Sequence, residues 1–285
     1  MPESLKQIKS RIRSIQSTKK VTNAMQMVSA VKLNRTDKAL VSLRSYLAGM
    51  ESVLTDLVNS REEINNPYFR GKGLEEKSIL LCVITSDSGL CGLYNNNVLR
   101  QAEDFLQNQG GKDIRLILIG KKSAGYFRAK GLTILHTYAG LNGIYNPLVS
   151  DEIAAILANL FSAGEADAVY IASSYFKNAF IQNAGVRKLL NIEIQKGPRT
   201  EFIMEQPFDE LLTKAATRYI ITKMRMVLLE AFCCEHAARS LAMKLATDNA
   251  QELLEALTLV RNKIRQANIT QEMMEIISST EALRG

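Results

Sequence analysis

Tryptophan is absent from this 285-residue chain, and histidine occurs only as His136 and His236. No apolar run approaches the ~18 residues a membrane-spanning helix needs, and the opening MPESLKQIKSRIRS lacks the apolar core of a secretory signal. A soluble, cytosol-facing protein is therefore expected. The four cysteines, Cys82, Cys91, Cys233 and Cys234, include no C-x-x-C pair and stand among apolar or small neighbours, which favours reduced thiols over a disulfide framework. Residues 1–45 hold no aromatic side chain, which removes the stacking half of a single-strand nucleic-acid signature. Helix breakers are confined to the middle: fourteen of the sixteen glycines fall between Gly71 and Gly197, and neither Pro nor Gly occurs between Pro207 and Gly285.

What is present is ample apolar material, 46% of the residues, enough for a core and for more than one structural unit. The formal charge of +7 is concentrated in one place. Residues 1–40 carry nine Lys or Arg against two acids, whereas 41–207 balance seventeen against seventeen and 208–285 ten against ten. Such a block seeks phosphates, anionic head groups or an acidic protein surface, and the missing aromatics put an acidic protein partner ahead of nucleic acid.

In the first segment apolar residues recur three and four apart in runs: Ile8, Ile12, Ile15, then Val21, Met25, Val28, then Leu40, Leu43, Leu47, Met50, Leu54, Leu57. The offsets between runs resemble stutters, and one coiled-coil helix is predicted over Glu3–Arg61. The last segment repeats the pattern through Ile220, Met224, Val227, Ala231, Cys234, Ala238, Leu241 and Leu245, then Leu253, Leu257, Val260, Ile264 and Ala267, predicting a second long helix. Between them Ser78–Thr85, Ile114–Gly120, Thr133–Thr137, Ala168–Ser173 and Val186–Ile194 read as strands. Leu93–Gln107, Ser123–Lys130 and Ser150–Ala163 read as helices, and the alternation implies a parallel sheet covered on its faces. The expected organisation is a helix over 1–61, an inserted α/β domain over 62–207, and a helix over 208–285. At 1.5 Å per residue the helices would run ~90 and ~115 Å. Paired antiparallel from the domain, residue 3 would lie opposite about residue 265, leaving roughly the last 20 residues with no facing helix. Another chain is therefore expected to cover Met273, Ile276, Ile277 and Leu283.

Candidate chemistry is thin. Thr85–Gly92 (TSDSGLCG) follows a strand and precedes a helix, where α/β folds place phosphate loops or nucleophiles, and it offers Asp87 and Cys91. It matches neither G-x-G-x-x-G, nor G-x-x-x-x-G-K-[ST], nor G-x-S-x-G, so a tight turn with Cys91 packed as a small apolar residue is expected. Gly120-Lys-Lys-Ser lacks the upstream glycine of a phosphate loop and reads as a solvated turn. Cys233-Cys234-x-His236 has too few ligands, at unsuitable spacing, for zinc. Ala231, Ala237, Ala238, Ala242, Ala246 and Ala250 fit either helix propensity with close helix approach or a slim, smooth shaft, and both readings stay open. No catalytic, cofactor or metal site is expected.

Three blocks carry a family resemblance: Ile8–Leu33 (IKSRIRSIQSTKKVTNAMQMVSAVKL), Ser86–Gly92 (SDSGLCG), and Glu235–Asn249 (EHAARSLAMKLATDN) continued by Asn262–Ile276 (NKIRQANITQEMMEI). In that order they resemble the γ subunit of the F-type ATP synthase, of the bacterial kind. The resemblance implies an antiparallel coiled coil of the two terminal helices with an inserted Rossmann-like α/β domain. It implies a non-catalytic rotor whose C-terminal helix reaches into a hexamer of alternating α and β subunits, with nucleotides held by the hexamer. It also implies a foot that meets the ε subunit and the membrane c-ring, and a peripheral place at the cytoplasmic face of the bacterial inner membrane. By matching positions, Arg265 and Gln266 resemble residues that hydrogen-bond a β-subunit loop, supported by Thr270 and Glu272. Arg239 and Met25 resemble coupling positions on facing helices at the β-subunit contact. Lys6, Lys9, Arg11, Lys19, Lys20, Lys32 and Arg35 would add attraction to acidic loops, or simply be solvated.

Ser88 stands where the family commonly has Arg, Arg261 where an aromatic is common, and Cys233, Cys234 and Ser240 are unusual. Ser88 puts in question any salt bridge usual at that turn. Two other readings compete with the rotor: an α/β enzyme whose basic arm grips RNA, and a spacer that never turns.

Overall fold

The computed structural model describes residues 5–61, 64–69, 76–194, 197 and 206–282. The elements in chain order are α1 (Leu5–Asn59), a 3-10 turn (Pro67–Phe69), β1 (Ser78–Ile84), α2 (Tyr94–Asn108), β2 (Asp113–Ile119), α3 (Lys121–Arg128), β3 (Thr133–Tyr138), α4 (Pro147–Ser162), β4 (Ala168–Phe176), β5 (Gln182–Leu190) and α5 (Phe208–Ala282). They form two compact units, Ser29–Arg239 and Met1–Val28 with Ser240–Gly285.

The larger unit is built on a five-stranded sheet of order β3-β2-β1-β4-β5. β1 sits at its centre, parallel to β2 and β4, with β3 parallel to β2. A central strand has both faces covered, so it reads as a continuous apolar run, and Ile79–Ile84 are all buried. The period of two then sorts the side chains. Leu80, Cys82 and Ile84 join Leu157 and Phe161 of α4 and Ile220, Met224 and Phe232 of α5. Leu81 and Val83 turn the other way, to Val98 and Ala102 of α2 and Phe127 of α3. The segments of α1 and α5 inside this unit belong to its core: Leu40 packs with Cys91, Cys233 and Cys234, and Leu54 and Leu57 with Phe208 and Leu212.

The fifth strand differs from the expectation. It covers Gln182–Leu190 rather than Val186–Ile194, and it runs antiparallel to β4. The cause is a tight turn: Asn178 Oδ1 accepts from Phe180 N and Ile181 N at 2.9 and 2.7 Å, reversing the chain before the apolar run begins. Gln182–Gly185 carry no apolar signal because this edge of the sheet is half exposed.

The smaller unit is a two-helix pair. Thr22 Oγ1 lies 2.7 Å from Thr247 Oγ1, and Lys19 Nζ donates to Gln251 Oε1 at 2.6 Å, which fixes an antiparallel register. Here the seam departs from the expected one. Thr22 is buried on α1 while Val21 and Val28 are more than half exposed. On α5 Met243 and Ala250 are buried, and Thr247, Leu254, Leu257, Arg261 and Ile264, half-buried, continue them at spacings of four and three, whereas Leu241, Leu245, Leu253 and Val260 are exposed. Small hydroxyl side chains that satisfy one another let the helices approach closely, and the larger aliphatics are displaced outward.

Gly120 closes β2 at φ +96°, and a Cβ there would lie 2.2 Å from the Thr85 carbonyl oxygen. Gly120→Ala is therefore expected to destabilise the α/β unit by about 2–4 kcal/mol. A denaturant midpoint within error of the parent would contradict this packing.

Candidate functional site

On the paired helices, continuing the antiparallel register brings Leu5 opposite about residue 265. From Arg265 to Thr280 every side chain of α5 is exposed. Residues four and seven apart share a face. Gln266, Thr270, Met273 and Ile277 thus form one stripe, and Arg265, Ile269, Glu272 and Ile276 the one beside it. The mixture is unusual for water: Met273, Ile276 and Ile277 are 60, 65 and 54% exposed, yet they alternate with groups suited to directed hydrogen bonds. Thr270 Oγ1 donates to the Gln266 carbonyl at 3.0 Å, leaving the Gln266 carboxamide projecting outward. Met25 is half-buried on α1. Leu283 lies outside the described residues.

Arg239 behaves otherwise. Its side chain is 9% exposed and serves its own domain. Nη2 donates to the Ser88 carbonyl and hydroxyl at 3.2 and 3.0 Å, Nε donates to the Gly89 carbonyl at 3.3 Å, and Nη1 lies 2.9 Å from Glu235 Oε1. In the chain by itself the Arg239 guanidinium is thus buried and engaged in four internal contacts. Ser88, where an arginine was expected, is the acceptor that makes this possible, since its short hydroxyl admits the Arg239 fork.

Around this contact lies a buried polar cluster. Asp87, half-buried in the loop after β1, gathers backbone donors at the carboxyl end of the sheet. Its Oδ1 accepts from Lys121 N, at the start of α3, and from Gly140 N at 3.1 and 2.9 Å, and its Oδ2 accepts from Asn142 N at 2.7 Å. The backbone donors that would cradle an anion are thus engaged by a carboxylate of the chain itself. Gly120, expected in a solvated turn, is buried against Thr85, whose Oγ1 accepts from Ser123 N at 2.8 Å. Cys91 is 1% exposed, its Sγ 3.1 Å from Asn95 Nδ2. Burial lifts the Cys233 thiol to about 12 and the Cys234 thiol still higher, so both are inert packing groups. Burial also raises the Glu235 carboxyl, against the pull of Arg239. His236 Nε2 is 2.8 Å from the Gly143 carbonyl, and desolvation lowers its imidazole to about 4. It is therefore neutral at pH 7, with the Nε2 proton donated to that carbonyl. Among the described residues no three His, Cys, Asp or Glu side chains converge as metal ligands, and no helix is long and apolar enough to cross a membrane.

Asp87 was legible only as a residue type in a loop. Its three backbone donors come from segments 34–55 residues away, which no local pattern reveals.

A helix tip that mixes exposed apolar and hydrogen-bonding side chains suits contact with another protein. Comparisons with known proteins give the family. The family model described as ATP synthase matches residues 4–283. The ATP synthase gamma chain of Pelotomaculum thermopropionicum is 37% identical over 284 residues, covering 98% of this chain and 99% of that protein. That of Heliobacterium modesticaldum is 34% identical over 290 residues, with the same coverage. A chain of the Euglena gracilis mitochondrial ATP synthase, in a structure of OSCP, F1 and c-ring, shares the fold at TM-score 0.68 and 16% identity, covering 98% of this chain and 94% of that one. The chain belongs to the ATP synthase gamma chain family, and its role is that of the enzyme's central shaft.

The His236 shift makes a pH prediction. The folded state binds a proton at about 4 and the unfolded state near 6.5, so the unfolded chain holds more protons between these values. Stability from this group is full above about 6.5 and falls as pH drops toward 4, by up to about 3 kcal/mol. Glu235, raised, works in the opposite sense within its own window. Denaturant unfolding from pH 7 to 4 is expected to show a shallower acid loss in His236→Gln than in the parent, and parallel curves would rule this out.

Proposed function

We propose that the chain is the non-catalytic rotor of a proton-translocating ATP synthase, turning inside a hexamer of alternating α and β subunits and coupling ring rotation to ATP synthesis or hydrolysis. The observation that carries this reading is the run of exposed side chains from Arg265 to Thr280, with apolar groups over half exposed on a helix that has outrun its partner. Met273, Ile276 and Ile277 would bear on the inner wall of the hexamer. The outward aliphatics of the paired region, Val21, Val28, Leu245 and Leu253, support the same sleeve lower down. Arg265 and Gln266 would hydrogen-bond a β-subunit loop, with Thr270 and Glu272 beside them. Such a contact is suited to a rotor: a charged hydrogen bond contributes about 1.5–3 kcal/mol, enough to hold a dwell and small enough to break at each step.

The basic residues near the start of α1, Lys6, Lys9, Arg11 and Lys20, are exposed and would draw acidic loops without fixing geometry. Met25, half-buried on the same helix, would lie at the β-subunit contact. The foot would meet the ε subunit and the c-ring, placing the chain peripherally at the cytoplasmic face of a bacterial inner membrane. The backbone donors engaged by Asp87 support an α/β unit that holds no nucleotide.

Gln266→Ala and Arg265→Ala are expected to lower ATP turnover of the reconstituted hexamer by about tenfold or more each, consistent with loss of one such bond. Because both side chains are exposed, the unfolding midpoint of the isolated chain should stay unchanged. Parent-level turnover in both assembled variants would remove these residues from the contact. Micromolar binding of ATP or a dinucleotide to the isolated chain would count against a non-catalytic role.

A further inference from the structure

The exposed end of α5 carries a pattern that matches itself. Successive helical residues turn by about 100°, so Leu257, Arg261 and Ile264, which continue the seam with α1, fall within about 60° of one another. Leu259, Asn262, Gln266, Ile269, Met273 and Ile276 lie between about 100° and 200° from Leu257, on the side that α1 leaves open. They recur at alternating spacings of three and four, and Leu259, Ile269, Met273 and Ile276 are 71, 49, 60 and 65% exposed. This is a second seam, as narrow as that of a two-stranded coiled coil and separate from the one α1 fills. It runs for roughly 27 Å along the helix.

The charges beside the seam select the helix that fits it. Arg265 and Glu272 precede Gln266 and Met273, flank the seam, are exposed, and form no ion pair among the described residues. Laid antiparallel on a second copy of itself, with the centre between Ala267 and Asn268, the seam sets Leu259 against Ile276 of the second copy, Asn262 against Met273, and Gln266 against Ile269. A two-fold axis repeats each layer. In that register Arg265 flanks Glu272 of the second copy and Glu272 flanks its Arg265, which makes two ion pairs across the seam. A parallel, in-register pair would instead put Arg265 beside Thr270 and Glu272 beside Ile277, with no charge matched.

We propose that the unassembled chain forms an antiparallel homodimer through this face of α5, each tip covering the apolar side chains of the other. The seam is short, and two of its three distinct layers set an apolar side chain against a polar one, so the dimer is weak, with a Kd on the order of 10 µM. Only its purpose rests on the rotor reading: Met273 and Ile276 would face the hexamer wall there, so the dimer stows the tip until a hexamer takes it. The association itself needs no other subunit.

Sedimentation velocity of the isolated full chain tests this, and a monomer–dimer equilibrium is expected. Glu272→Arg replaces two ion pairs by two like-charge contacts and should weaken the dimer at least about fivefold, as should Arg265→Glu. Both exchanges combined in one chain should restore the parent Kd within about twofold. The two positions are exposed, so the variants keep the fold. Orientation is read from an equimolar mixture of Leu259→Cys and Ile276→Cys chains, which should oxidise to the mixed disulfide, since the native cysteines are all buried. A chain that stays monomeric at about 200 µM, a single charge exchange without effect, a double exchange that fails to recover, or same-residue disulfides in place of the mixed one would each overturn the assignment. None of these results bears on ATP turnover of the assembled complex, where the rotor reading is tested.

Discussion

An α-helix can hide an apolar stripe only where something runs alongside it. In the two-helix pair that companion is α1, and the close hydroxyl contact of Thr22 with Thr247 fixes where along α5 it lies. Everything distinctive about the pair follows from this register. The seam takes Met243, Thr247, Ala250, Leu254 and Leu257 at spacings of four and three, so other aliphatics are turned outward, and α5 continues past the level of Leu5. A pair of helices covers one face of each member and no more. The remaining apolar faces are the reason a chain of this composition needs company.

The same bookkeeping works differently in the α/β unit, where β1 has neighbours on every side. Its alternating side chains are divided between α4 with α5 on one face and α2 with α3 on the other. Polar groups are treated with equal economy at the carboxyl end of the strand. Arg239 donates to the Ser88 and Gly89 carbonyls and pairs with Glu235, and Asp87 gathers three backbone N–H groups from two separate segments. Buried polar groups with partners fix one arrangement of the loops, because any other leaves a charge or a donor stranded.

Much of this was readable from residues. The two long helices, the strand positions of β1 to β4 and the excess length of α5 all follow from periodicity and from the confinement of glycine and proline to the middle. The misses have physical causes. Val21, Val28, Leu241 and Leu245 were read as seam residues on hydrophobicity alone, whereas the Thr22–Thr247 hydroxyl contact sets the seam one or two positions away, through Thr22, Met243 and Thr247. The fifth strand starts earlier than its apolar residues because an asparagine turn, not hydrophobicity, sets its beginning. The internal contacts of Arg239 were not legible, since nothing local announces that a loop 150 positions away will take its guanidinium. The tip residues were legible by type and level along the helix, but helix packing alone could not say which stripe each occupies.

The carboxylate of Asp87, held by three amides, has one more implication. One side chain at the end of β1 staples the head of α3 to the loop after β3, so two segments distant in sequence share a single anchor. Losing that carboxylate would slacken both together.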